Sequence, residues 1–252
     1  MHGILLAGGS GSRLSNLTAI TNKSLLPIYN RPTIHWCIDT LVKSGINEIF
    51  LVVGGNAAGE FLRVLGNGEQ FGLKQLNYAY QKEPKGIADA LKYAREWASD
   101  KPIAVMLADN LFEDTFNESI GSFIASNEEC RVFLKQVNRP EQYGVVEVKD
   151  KQIVSIEEKP KEPKSNLIAT GLYFYKSIVW DLIDSLTPSA RGELEISHLN
   201  AMFLNRSTLG YEVLNGWWGD TGENYDTYVD SFIKWSELKR NENRNFLESK
   251  LC

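Results

Sequence analysis

Sulfur and histidine are scarce in this sequence, and their distribution excludes several chemistries at once. Cys37, Cys130 and Cys252 are odd in number, far apart and without a C-x-x-C pair, so neither a disulfide framework nor a zinc site is visible. His2, His35 and His198 lack ligand spacing and read as surface or packing residues, which leaves no evident catalytic imidazole. A cationic excess is also missing. The net charge of −5 argues against a nucleic-acid or anionic-membrane surface, although cations concentrated at one site would still accept anionic substrates. No apolar run reaches roughly 18 residues, and the N-terminal one is too short for a secretory signal, so a cytoplasmic chain is expected. Repeats, low-complexity tracts and flexible linkers are absent. With 43% hydrophobic and 23% charged residues in 252, the chain has an ordinary globular composition. A chain of this size buries roughly 70–75% of its unfolded surface and needs no staples.

What is present is concentrated in Met1–Pro27. The short apolar run Gly3–Ala7 reads as a buried strand. Gly8, Gly9 and Gly11, interleaved with Ser10 and Ser12, follow it. Such a loop exposes backbone N–H groups and can form an anion-binding concavity. Arg13 adds a fixed, forked cation and Lys23 a mobile one, so the stretch suggests a site for a phosphate chain. Gly9-Ser10-Gly11 alone could equally be an ordinary strand-to-helix turn. It is no Walker loop, since no Gly-Lys-Ser/Thr closes it, and Leu14 occupies the third glycine position of a dinucleotide fingerprint.

Beyond the loop, apolar runs alternate with amphipathic segments, as in parallel βα units. Helices are expected over Thr33–Ser44, Ala57–Leu65, Gly86–Ala98 and Asp114–Ser126, and strands over Glu48–Val53, Lys74–Gln81 and Pro102–Leu107. The texture then changes to strands at Arg131–Val137, Tyr143–Val148, Gln152–Glu158 and Ala169–Tyr175. Helices return at Ile178–Ser185, Glu193–Asn205 and Tyr225–Asn241. The fold class is α/β, with a mixed, mainly parallel central sheet flanked by helices.

Several polar residues fall where chemistry is done. Gln81 ends a strand, and its amide offers a donor and an acceptor that match O4 and N3–H of thymine or uracil. Backbone near Gly86 is expected to fix that amide. Asp109 follows a buried strand at its carboxyl end, where open α/β sheets place ligands. Asp220 follows a strand-like run within Gly216–Gly222. Asp is also a common cap or turn former, so neither is diagnostic alone. Glu157-Glu158-Lys159 taken alone is usually a solvated charge run.

Leu6-Ala7-Gly8-Gly9-Ser10-Gly11-Ser12-Arg13-Leu14, with Lys23-Ser24-Leu25-Leu26-Pro27, resembles the signature of the sugar-nucleotide pyrophosphorylases. The likeness is greatest to the thymidylyltransferases of that family in their shorter form, and it extends along nearly the whole chain. It implies a Rossmann-like, nucleotidyltransferase-type domain over residues 1–252, with a nucleotide-binding half at about 1–127 and a sugar-phosphate-binding half at about 128–252. By this resemblance Leu6, Gly8, Gly9, Ser10, Gly11 and Ser12 hold a nucleoside triphosphate. Arg13 and Lys23 contact its phosphates and are catalytic together with Asp109. Gln81 and Gly86 read the base, and Asp109 and Asp220 bind Mg2+. Tyr143–Glu147, Ile156–Pro160, Ala169–Gly171 and Ser189–Ile196 resemble the family's sugar segments. Asn110, Gly144, Glu158, Lys159, Ala169 and Arg191 are thereby implied to bind the sugar phosphate.

The implied substrates are dTTP and a sugar 1-phosphate, in the first place glucose 1-phosphate; the implied assembly is a homo-oligomer, a tetramer. Two positions depart from the family pattern: Ser24 where many members carry Gln, and Ala108 where they carry Gly. The chain also lacks the C-terminal segment associated with feedback binding in the longer form, so such control is not expected. A nicotinamide oxidoreductase would need an acidic residue after the second strand, where Val53-Gly54-Gly55 stands. A catalytically silent sugar-nucleotide sensor should have lost Lys23 or an aspartate, and both are present.

Overall fold

Six consecutive buried residues, His2–Ala7, form strand β1 at the centre of a nine-stranded sheet. The computed structural model describes residues 1–9 and 11–249, so Ser10 and Cys252 lie outside the described residues. A short hairpin follows, β2 (Pro27–Ile28) with β3 (Arg31–Pro32), and leads into helix α1 (Thr33–Lys43). The βα alternation then runs through β4 (Glu48–Gly54), α2 (Ala58–Leu65), β5 (Gln75–Gln81), α3 (Ile87–Leu91), α4 (Arg95–Ala98) and β6 (Ile103–Leu107). Next come β7 (Asn110–Phe112), α5 (Asn117–Ala125), β8 (Cys130–Gln136), β9 (Gly144–Lys149), β10 (Gln152–Glu158) and β11 (Leu167–Tyr175). The remaining elements are α6 (Val179–Ser185), α7 (Ile196–Asn205), β12 (Leu209–Val213), β13 (Trp218–Asp220) and α8 (Tyr225–Ser249).

β5, β4, β1 and β6 are parallel neighbours in that order. The near-continuous apolar runs of β1, β4 and β6 reflect burial on both faces. Period-2 alternation sorts the side chains into two cores: Leu5, Leu51, Val53 and Met106 pack on one face with Ile38 and Phe61, while Ile4, Leu6, Val52 and Val105 pack on the other with Leu91 and Phe203. β11 then enters antiparallel and carries the second half of the sheet. One of its edges pairs with β8 along its length, and β12 extends the sheet beyond β8. Its other edge is shared: Leu172–Tyr175 pair with β6, whereas Ile168 and Ala169 pair with β9. The register slips between Ala169 and Tyr173. β6 and β9 therefore part at Thr170–Gly171, and the sheet forks at the carboxyl end of β6.

Several element ends differ from the sequence reading, with identifiable causes. The expected helix over Gly86–Ala98 is divided into α3 and α4 by a 3-10 turn at Lys92–Ala94, a common connector in short helical segments. Helix α5 starts at Asn117 instead of Asp114, because the Asp114 carboxylate accepts the Gly216 N–H at 3.0 Å. Helix α7 starts at Ile196 instead of Glu193, because Glu195 is extended and the Leu194 N–H donates to the Lys85 carbonyl at 2.8 Å. The three-residue strands β7 and β13 are too short to leave a periodic signal. Of the histidines, His2 is buried against Trp97 and His35 packs edge-on to Phe71. No described helix is long and apolar enough to cross a membrane.

Candidate active site

The glycine loop leaves β1 at Ala7, and a residue that sequence reasoning missed ties it down. The Asn22 amide donates to the Ala7 carbonyl at 3.0 Å, while its oxygen caps the next turn by accepting the Ser24 N–H at 2.9 Å. This cap sets Lys23 at the start of a 3-10 turn beside the loop. The only hint of it in the sequence is an Asn in capping position before Lys23. The Thr18 hydroxyl donates to the Gly11 carbonyl at 2.9 Å and closes the far side of the loop. Leu14, standing where a dinucleotide loop has glycine, is fully buried.

Lys23 passes beside Gly9 of the loop and forms an ion pair with Asp109. Asp109 is held from three directions. The Asn110 amide donates to its carboxylate at 2.9 Å, and the Thr221 N–H and hydroxyl both donate to its carbonyl, each at 2.9 Å. β7 and β13 pair antiparallel with Asn110 opposite Asp220, so residues from opposite ends of the chain meet here. The Asp220 carboxylate accepts the Gly222 N–H at 2.8 Å. The electrostatics follow from burial. Burial works against the charge of Lys23, but Asp109 and Asp220 outweigh it and raise the lysine pKa above its ordinary value. Burial also opposes ionisation of Asp109, yet Lys23 beside it holds that carboxyl below the usual range. Asp220 shifts the other way, upward, first through burial and then through the Asp109 charge. The buried Asp109 and half-buried Asp220 offer two carboxylates, hard oxygen donors of the number magnesium usually takes from a protein, with phosphate oxygens and water completing the shell. The donor set therefore fits that ion, and among the described residues no cluster of three or more metal-ligating side chains competes with it.

Two cavities meet at this pair. One, of about 270 Å³, is lined by Leu6, Gly8, Gln81, Pro84, Gly86 and Ile87. Gln81 is buried at the end of β5, and its Nε2 donates to the Asp89 carboxylate at 3.0 Å. The anchor of this amide is thus Asp89, not the backbone near Gly86 that the sequence suggests. Gly86 serves a different purpose: at φ +101° it packs against the Leu194 backbone with no room for a side chain.

The other cavity, of about 360 Å³, lies in the fork of the sheet and includes Gly9, Gly11, Ser12, Arg13, Asn110 and Asp220 in its lining. The sugar-side residues named from sequence also line it, and register explains their proximity. Gly144 on β9 stands opposite Glu158 on β10 and opposite Ala169 on β11. Lys159 follows at φ +44°, an unusual conformation for a non-glycine residue, and its N–H donates to the Tyr143 carbonyl at 3.0 Å. The Glu158 carboxyl is raised above its usual pKa by burial. Every residue proposed for the site within the described range lines one cavity or the other.

Two cations are already engaged. Arg191 donates from Nε and Nη2 to Glu195 at 3.0 and 2.8 Å, and Arg13 pairs with Glu223. Sequence reasoning missed both carboxylates. Glu195 had a signal, being four residues after Arg191, whereas Glu223 had none. Asn110 is also more committed than expected, since its oxygen accepts from Gly171 N–H at 2.9 Å and Trp218 Nε1 at 2.8 Å.

Comparison with known proteins gives a consistent picture. A glucose-1-phosphate thymidylyltransferase from Mycolicibacterium smegmatis is 40% identical over 248 residues, covering 95% of this chain and 84% of that protein. Another from Neisseria meningitidis is 41% identical over 226 residues, covering 88% and 78%. Among solved structures, a Bacillus anthracis protein named provisionally as a glucose-1-phosphate thymidylyltransferase, crystallised with sucrose, superposes with a TM-score of 0.89 at 38% identity, covering 94% of this chain and 95% of that one. A family model described as nucleotidyl transferase matches residues 2–237. The chain belongs to the nucleotidyl transferase family.

Proposed function

We propose that the chain joins glucose 1-phosphate to the thymidylyl group of dTTP, forming dTDP-glucose and pyrophosphate. The observation that carries this reading is the meeting of two cavities at Lys23 and Asp109. A nucleoside fits the mostly apolar cavity around Gln81, a sugar the polar fork, and the reacting phosphates the seam. The names of the relatives support the choice of substrates.

A phosphate monoester is largely dianionic at pH 7, because its second pKa is near 6. The sugar phosphate therefore attacks without a general base, consistent with a site whose lining holds no histidine. One of its oxygens bonds to the α-phosphorus while the bond from that phosphorus to the β-phosphate oxygen breaks. The electron pair leaves with pyrophosphate. Lys23 and Arg13 stabilise the charge that accumulates on the transferring group. For Arg13 this requires exchanging Glu223 for a phosphate. Asn110 and Thr221 hold Asp109 still. Asp109 and Asp220 would hold magnesium, which supplies charge neutralisation on the phosphate oxygens. Gly144, Glu158 and Ala169 orient the sugar, and Lys159 and Arg191 face its phosphate.

The reading includes small-molecule substrates, a cytoplasmic setting and a homo-oligomer. Its test is pyrophosphate release with each common nucleoside triphosphate crossed with a panel of sugar 1-phosphates. dTTP with glucose 1-phosphate should give the highest kcat/KM. UTP should be used detectably, since the missing methyl is worth roughly 1–3 kcal/mol. A preference for a purine triphosphate or CTP would overturn the assignment.

A further inference from the structure

The base cavity is read by one amide, and an amide alone cannot choose its own orientation. The two ends of Gln81 have nearly the same shape, and a flip exchanges donor and acceptor. One orientation suits thymine or uracil, with N–H facing O4 and the oxygen facing N3–H. The flipped one suits cytosine, which presents a donor at C4 and an acceptor at N3. Discrimination between these bases thus requires something behind Gln81 that breaks the symmetry.

Asp89 stands in that place. It lies one turn into α3, outside the cavity lining, and its carboxylate is 3.0 Å from Gln81 Nε2. An ionised carboxylate only accepts, so the amide nitrogen must face it. Lys92 Nζ lies 3.7 Å from the same carboxylate on the next turn. The amide oxygen is left toward Gly8, where a Cβ would lie only 2.8 Å from it. The nitrogen keeps one hydrogen for the base. Resting on the assignment of this cavity to the base, we infer that Asp89 is a positioning residue that locks the Gln81 amide in the orientation complementary to thymine and uracil and so excludes cytosine.

The lock predicts a specific loss. Asn at this position both donates and accepts, so the pair of amides can flip together. A hydrogen bond to a charged acceptor corresponds to roughly a 10–100-fold preference. Equilibrium binding of dTTP, UTP and CTP to the full chain and to Asp89→Asn, followed by calorimetry, reads this directly and needs no turnover. The dTTP:CTP affinity ratio should contract about 10–100-fold in the variant, while the dTTP:UTP ratio, set by the methyl group, stays within about twofold. Thermal stability is measured in parallel. A variant that loses stability or binds all three nucleotides proportionally more weakly, with the dTTP:CTP ratio unchanged, would show Asp89 to be only a helix residue and overturn the inference. So would a wild-type chain that binds CTP as well as dTTP, or binds neither. Preserved dTTP selectivity in binding with no pyrophosphate release in the wild type would instead separate the two proposals, sinking the proposed reaction and leaving the lock standing.

Discussion

Gly86→Ala should damage both halves of the site through a single methyl group. Gly86 sits at φ +101°, ψ 167°, a region almost closed to residues with a Cβ, where holding an alanine costs about 1–3 kcal/mol. The added carbon would lie 2.7 Å from the Leu194 nitrogen and nearer still to the Leu194 oxygen. Both are backbone atoms, and the local hydrogen bonds hold them close: Leu194 N–H donates to Lys85 at 2.8 Å, and Ala88 N–H donates to Leu194 at 3.2 Å. Overpacking of this kind costs a further 1–3 kcal/mol or so. The sum, about 2–6 kcal/mol, is a large fraction of a typical total of roughly 5–15 kcal/mol. For a chain of this size it should lower Tm by at least about 4 °C. If the strain is instead released by separating Lys85–Ala88 from Leu194, the base cavity and the segment carrying Glu195 and Arg191 shift together. Differential scanning fluorimetry and pyrophosphate-release kinetics distinguish the two routes, and the KM values for both substrates should rise in the second. An alanine variant with wild-type Tm and wild-type kinetics would refute the reasoning.

Three further outcomes follow from the buried charges. Lys23→Met should reduce turnover on the order of 10²–10³-fold, within the range seen for phosphoryl-transfer cations. It should also destabilise the protein by about 3–5 kcal/mol, because Asp109 is left buried and unpaired; adding Asp109→Asn should restore most of the Tm and none of the activity. Because burial and Asp109 push the Asp220 carboxyl up to about 7, the folded chain binds a proton that the unfolded chain releases, and metal-free stability should fall as pH rises from about 4 toward 7. Asp220→Asn removes that penalty, so in chelator its Tm should exceed the wild type's by more at pH 8 than at pH 5; an equal difference at both would contradict the shift. Activity should vanish in chelator, and Asp109→Asn should need far more magnesium to recover any.

The parts of the fold carried by long apolar runs could be read directly from the chain. β1, β4 and β6 declare themselves because burial on both faces demands uninterrupted hydrophobicity, and β10 is found residue for residue because it alternates. The glycine loop and Lys23 are legible because clustered glycines mark a turn that exposes backbone N–H groups and a nearby lysine supplies a mobile cation. Illegible were the features made by tertiary pairing. β7 and β13 exist because Asn110–Phe112 and Trp218–Asp220 find each other, and neither has a pattern of its own. Asp89, Glu195 and Glu223 belong to charged, solvent-compatible sequence, and only three-dimensional packing sets them against Gln81, Arg191 and Arg13. The break between α3 and α4 is likewise invisible to a helical period, which both parts share.

The pairing of β7 with β13 has a consequence for how the molecule assembles. All nine strands of the main sheet are drawn from residues 2–213, so a chain ending at Val213 would still contain every one of them. It would lack Asp220 and both Thr221 bonds to the Asp109 carbonyl, which close a loop spanning 112 residues. Contacts so distant in sequence carry a loop-closure cost, as the pairing of β1 with β6 also does. Because no strand of the main sheet lies beyond Val213, sheet formation and completion of the candidate site should be separable events. During refolding, secondary structure should return before activity does, and the lag between the two signals measures the arrival of the C-terminal segment at a sheet already in place.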